Sequence, residues 1–474
     1  MKLIKFKRSC SMRKILSIIV FAFILTANLK VCPTLILAEA KEVKITASGM
    51  TVKVSAGEWK VIGKKGDVIR PDAKLGRDLA PLGRAIIRIK ASEFKIDPST
   101  VVSVENEKVQ IGDERPNQWA AGTRLKGVVP RRVYHGVPGC LVPNSVVVKS
   151  SDGTIYEEDK DYLMDHTWGA MGRLADGNIK KNEKVLVDYK YSVMRLDLIQ
   201  SDTAGNVTLK KGKEEKVCPL PRQPDEGCEA IANIFLPYSA TELTEENIYP
   251  IGPPLPEPTK KEMEKNSKVV EKTLAKLRKG DSVTIVAWGN SVTAGGDASL
   301  PSKAFPGAFL KLLRQRFPDA TIKLKNAGIG GSSTPGRLAE IQKEVIKFNP
   351  DLVTIEFVND MGLPENTLRA NWFSAIDQIK EAGGEVIIIT PHFVMPAWMN
   401  VTSVKEARET RPQVQWLRDI AEEKGAGVAD ASRRWEHLAS EGIPYTTLLW
   451  NGINHPDDRG HLIFAQELMK YFPQ

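Results

Sequence analysis

Four short stretches, far apart in the chain, carry groups that together could move an acyl group. Ser291 stands in Gly289-Asn290-Ser291, and Gly331 in Asn326-Ala327-Gly328-Ile329-Gly330-Gly331. Asn359 stands in Phe357-Val358-Asn359-Asp360, and His455 in Asn451-Gly452-Ile453-Asn454-His455-Pro456. They offer a hydroxyl, a flexible turn with backbone N–H groups, a carboxamide donor and an imidazole. Acyl transfer needs this set: the serine attacks, the imidazole takes and returns the proton, and N–H donors hold the oxyanion. No member is distinctive alone. Ser291 is equally suited to a helix cap. Asn359 and Asp360 could cap the next helix. The glycines could form a phosphate-binding turn, but the spacing is not G-x-G-x-x-G and no acid follows where a ribose would need it. His461, and His392 in Thr390-Pro391-His392-Phe393, read as packed histidines. Trp450 reads as packing or as a substrate platform.

Their position in the chain's rhythm joins the four. From Ser282 onward, apolar runs alternate with amphipathic ones. Residues 282–289, 321–328, 351–358, 385–391 and 427–432 read as strands. Residues 304–317, 337–348, 368–383, 414–425 and 460–472 read as helices, and residues 263–280 as a helix ending at Gly280. Such alternation implies a parallel sheet covered by helices on both faces. Functional side chains then gather beyond the carboxyl ends of the strands. Three of the four stretches directly follow a strand, and the fourth precedes the last helix.

These four blocks, in this order, resemble the SGNH, or GDSL-like, hydrolase family of esterases and lipases. The resemblance implies a flavodoxin-like three-layer α/β/α domain over residues 268–474. It makes Ser291 the nucleophile, with Asn290 where Asp is commoner, and His455 the base. It gives the oxyanion hole the backbone N–H groups of Ser291 and Gly331 and the side chain of Asn359. Two departures stand out. Phe357 occupies a position usually held by glycine. The family also places an acid three or four residues before its histidine, where this chain has Gly452 and Asn451. The expectation is therefore a Ser291–His455 dyad oriented by Asn451 or a backbone carbonyl, ahead of Asp430, Asp457 or Asp458. No metal or cofactor is implied.

The rest of the chain supplies context. Residues 2–14 are rich in Lys and Arg, residues 15–27 are apolar, and Ala38 and Ala40 form a small-x-small pattern. This reads as a signal peptide over residues 1–40, cut after Ala40, and implies a secreted, periplasmic or cell-surface protein. Met12 is a plausible alternative start. Removing those forty residues takes away seven Lys/Arg and one Glu, so the formal charge falls from +9 to +3. Nucleic acid is then a poor partner. Residues 41–248 hold short β-like runs punctuated by Gly, Asp and Asn, which implies a β-rich accessory domain, a sandwich or two small units. Residues 249–267 are a Pro-rich linker and helix start. Cys218 and Cys228 flank a Pro-rich loop, and either a disulfide or free thiols fits. The expected function is an exported serine esterase acting on short acyl esters, with acetylated glycan the favoured substrate. The alternatives are a catalytically weak or inactive glycan-binding protein on a hydrolase fold, or an acyltransferase.

Overall fold

The computed structural model describes residues 42–60 and 86–474. The expected signal peptide lies outside them. No helix among the described residues is long and apolar enough to cross a membrane.

The second half of the chain is built on one parallel sheet of five strands. In chain order they are Ser282–Gly289, Thr321–Gly328, Leu352–Glu356, Glu385–Ile389 and Gly427–Ala429, and their spatial order is second, first, third, fourth, fifth. This is the flavodoxin-like arrangement, with its topological switch point beside the first strand. Both faces are covered, so the central strands are largely apolar, as buried parallel strands usually are, with Thr354 and Glu356 the buried polar exceptions in the third. Val283 and Ile285 face one core, with Phe305, Phe309, Phe464 and Phe472. Val286 and Trp288 face the other, with Trp372, Ile376, Leu417 and Ile420. The helices Phe305–Arg316 and Asp458–Met469 cover the first face, and Glu365–Glu381 and Pro412–Lys424 the second. The three-layer expectation thus holds for this half.

Two helices differ from expectation. The stretch 263–280 is two helices, Lys260–Val269 and Glu271–Lys279, which meet at Val270. Residues 337–348 form no continuous helix. They break into short α and 3-10 turns, which end where Asn349 turns left-handed at φ +47°. Val345, at the break, is fully buried in the second core, so packing overrides local helical preference there.

The first half is β-rich, with short antiparallel sheets around two separate apolar clusters. One four-stranded sheet runs Val101–Gln110, Lys184–Ser192, Val147–Lys149, Ile155–Tyr156; another runs Val207–Lys210, Arg195–Asp202, Cys228–Leu236, Ile248–Pro250. Cys140, Cys218 and Cys228 are all free thiols. Cys218 is buried in one cluster, whereas Cys228 opens a strand opposite Asp202.

The Pro-rich stretch between the halves lies against the second half. Ile251 bridges Glu441, the Gly252 N–H donates to the Ser440 carbonyl at 2.8 Å, and the Leu255 N–H donates to Glu441 at 3.2 Å. The described residues, 42–60 and 86–474, group as one compact unit.

Candidate active site

Strand register sets the floor of the site. Gly289 pairs with Gly328 on one side and Glu356 on the other, so three strands end level. The chain must then turn tightly. A Cβ at Gly289 would lie 2.2 Å from the Glu356 carbonyl oxygen and 2.1 Å from Thr293 Oγ1, so only glycine fits. Asn290 caps the one-turn helix Ser291–Ala294, its Oδ1 accepting from the Val292 N–H at 2.9 Å. The asparagine thus performs the capping that an aspartate could. The Ser291 N–H has no protein partner among the described residues.

His455 Nε2 lies 2.9 Å from Ser291 Oγ. Its Nδ1 lies 2.8 Å from Asp297 Oδ2. A carboxylate only accepts, so it fixes the proton on Nδ1 and leaves Nε2 free to accept from the serine hydroxyl. The carboxylate that meets the imidazole is therefore on the loop of Ser291, six residues after it. Asp297 sits at φ +61°, in the left-handed region that Asp tolerates better than most residues. Gly296 precedes it, and a Cβ there would come within 2.9 Å of the His455 ring.

The expectation for Asn451 is corrected. Its Oδ1 accepts from the backbone N–H groups of Ile453, Asn454 and His455, each at 2.9 Å. Its Nδ2 donates to Asn454 Oδ1 at 3.2 Å. With its carboxamide thus committed, it holds the loop's shape and does not face the imidazole. The other candidate acids are also occupied elsewhere. Asp430 binds Thr390 and Arg418. Asp457 caps the last helix and pairs with Arg459, and Asp458 receives the N–H and hydroxyl of Ser299.

The expected oxyanion groups lie on the neighbouring turns. Gly331 is at φ +71°, and its N–H has no protein partner among the described residues. Asn359 Nδ2 donates one hydrogen to the Ser332 carbonyl at 2.9 Å and keeps a second. Buried Arg337, which the sequence reading passed over, joins these turns. It donates to the carbonyls of Gly289 at 3.2 Å and Ala327 at 2.9 Å, and pairs with Glu344. Asp360 does not cap the helix that follows it, whose N-cap is Pro364. It is buried and accepts from Thr334 and from Trp372 Nε1 at 2.8 Å, and burial raises its carboxyl above the usual range. Burial also pushes the Glu356 carboxyl up to about 7. It receives the Val358 N–H at 2.9 Å and the Thr293 hydroxyl at 3.1 Å, directly beneath the nucleophile turn.

The remaining histidines of this half are packed or peripheral. His392 is fully buried, its Nε2 is 2.7 Å from the Asn454 carbonyl oxygen, and burial holds its pKa well below the ordinary value. Burial lowers His461 to about 4, and its Nδ1 accepts from the Phe305 N–H. Beside Asn359 opens a pocket of roughly 430 Å³, lined by Val358, Met361, Val394, Trp398, Arg411 and Asn454. No cluster of metal-ligating side chains occurs among the described residues.

Residues 287–463 match the model of the GDSL-like Lipase/Acylhydrolase family. Among solved structures, a two-domain esterase active on acetylated mannans is similar at 21% identity, over 43% of this chain and 52% of that one, with a TM-score of 0.36. The chain therefore spans about half the length of that esterase. An acetylxylan esterase from Geobacillus stearothermophilus is similar at 20% identity, over 40% of this chain and 93% of that one, with a TM-score of 0.34. Among curated proteins none matches.

Proposed function

We propose that the α/β half, of which residues 287–463 match the GDSL-like Lipase/Acylhydrolase family, is a serine ester hydrolase domain, and that the protein is exported and cleaves short acyl esters, acetyl esters of carbohydrate first among them, through an acyl-enzyme on Ser291. The observation that carries this reading is the unbroken chain from Ser291 Oγ through the His455 ring to Asp297. Ser291 Oγ attacks the ester carbonyl while its proton passes to His455 Nε2. The oxyanion is held by the N–H groups of Ser291 and Gly331 and the free N–H of Asn359. The C–O bond to the alcohol then breaks, and Nε2 returns the proton to the leaving oxygen. Water repeats the sequence in reverse: its proton goes to Nε2, its oxygen bonds to the acyl carbon, and Ser291 Oγ leaves reprotonated. Asp297 stabilises the imidazolium at each stage.

Export rests on the composition of residues 1–40. The carbohydrate preference rests on export, on the β-rich half and on two exposed aromatic rings. Tyr134 is 71% exposed, and Trp398, at the pocket beside Asn359, is 48% exposed. Aromatic faces of this kind suit the C–H faces of a sugar ring. The inactive-protein alternative drew its force from a missing acid, and Asp297 removes that argument.

The test is an ester screen over ethyl acetate and acetylated sugars. Wild type should turn over, Ser291→Ala should not, and a fluorophosphonate should label Ser291 alone. Labelling of another serine, or full activity in Ser291→Ala, would refute the assignment. Acetyl transfer to a sugar in preference to water would identify an acyltransferase.

A further inference from the structure

The stretch 450–455 that ends in the catalytic histidine is gripped by the β-rich half at three points. Trp450 Nε1 donates to the Arg131 carbonyl at 2.8 Å, across 319 positions of sequence. The Arg132 guanidinium carbon lies 4.3 Å from the centre of the Trp450 ring. Gly452, at φ +70°, is pressed so closely that a Cβ there would lie 3.1 Å from Pro138 Cδ and 3.3 Å from Val137 Cγ1. Ile453, 3% exposed, packs in a cluster with Trp168 and Ala170. His135, 2% exposed, stands edge-on to Trp168 and Tyr134, within electrostatic reach of Asp297 and His455.

Trp450 links this grip to the chemistry. Its own N–H donates to the His455 carbonyl at 2.8 Å, and Leu449 bridges Pro456, so the loop closes on itself. One residue thus carries both the indole held by Arg131 and Arg132 and the backbone N–H bonded to the His455 carbonyl. We propose that segment 131–138 of the β-rich half positions His455, acting through Trp450, so that the acylation rate depends on a part of the chain outside the hydrolase domain. This rests on the esterase reading above. Small misplacements of a catalytic group are expensive, which is why such a brace matters.

The test uses the full chain. Trp450→Phe keeps a ring and removes the donor to Arg131. Arg132→Gln removes the cation from an exposed position, and Arg132→Lys keeps it. On ethyl acetate, Trp450→Phe should lower kcat about tenfold with KM within about twofold, and slow fluorophosphonate labelling of Ser291 in proportion. Arg132→Gln should lower kcat about threefold, and Arg132→Lys should restore it. If Trp450→Phe fails to fold, as thermal unfolding would show, the Arg132 pair decides. A lowered melting midpoint with kcat unmoved in Trp450→Phe overturns the proposal, as does an Arg132→Gln that matches wild type. Wild type that neither turns over nor labels overturns the esterase reading, and the positioning role falls with it. Active wild type with unmoved variants sinks the positioning role alone.

Discussion

Two loops meet at the catalytic centre, and they share the work unevenly. In the proposed reaction the loop after the first strand, residues 290–297, carries both the nucleophile, Ser291, and the acid, Asp297. The loop before the last helix, residues 450–456, carries only the imidazole. Its one side chain placed to serve as an orienter, Asn451, is committed to three backbone N–H groups of its own loop. A Ser-His-acid constellation is defined by distances and roles, whatever the chain order. The nucleophile loop can reach back to Nδ1 because Gly296 lets it pass against the imidazole and Asp297 accepts a left-handed turn.

The most severe way to break this division is at Asp297. Asp297→Asn should cost about ten-thousandfold in kcat/KM, or roughly 5.5 kcal/mol, because the amide can favour the wrong tautomer. Retention of more than a tenth of wild-type activity would show that the histidine loop orients its ring unaided. Next comes the oxyanion side. Asn359→Ala should lower kcat about a hundred- to thousandfold, with KM for ethyl acetate nearly unchanged. A drop below threefold would leave Asn359 only its bond to Ser332.

Glu356, beneath the nucleophile loop, gives a stability test. Its folded-state pKa is about 7 against an ordinary 4.5, both referring to one carboxyl. The protonated form is favoured in the folded state, so its contribution is full below about 4.5 and is lost as pH rises towards 7. Relative to Glu356→Gln, the wild-type protein should therefore lose on the order of 3 kcal/mol between those limits. Urea unfolding of both proteins across that range checks it, and parallel curves would show that the carboxyl titrates normally. The smallest change is expected at Asn451. Asn451→Asp keeps the acceptor for all three N–H groups, so turnover should stay within about threefold. A large gain would mean that this loop still addresses Nδ1.

The rule that chemistry follows the strands was legible in the sequence because it needs only the alternation of apolar runs, and the level row Gly289–Gly328–Glu356 bears it out. Phe357 departs from the family pattern because its ring is used in the core, edge-on to Trp288 at 4.8 Å and to Trp372 at 6.3 Å. Asp297 was not legible. A Gly-Gly-Asp run reads as a turn, and its partner is 158 positions away. The one available signal was an acid on the same strand-end loop as the serine, which becomes meaningful only once the place three or four residues before the histidine is found uncharged. Arg337 was passed over, and Asp360 read only as a helix cap, for a related reason. Their partners, Gly289 and Thr334, come together only when the sheet forms. In the β-rich half the short runs marked strands, but their assortment into sheets depends on pairings such as that of Val101–Gln110 with Lys184–Ser192, which no local pattern encodes.

The close fit of Gly452 against Pro138 constrains how this protein could change over generations. Position 452 is one of the two places where the resemblance puts the family's acid, and here the neighbouring half occupies the space a side chain would need. A carboxylate introduced at 452 would bring its Cβ to 3.1 Å from Pro138 and 3.3 Å from Val137, on backbone at φ +70°. A mutation removing Asp297 would meanwhile leave the ring without its acceptor. The acid's address and the docking of the β-rich half are thus locked to one another. While the β-rich half stays docked at Pro138, position 452 remains crowded against an acid.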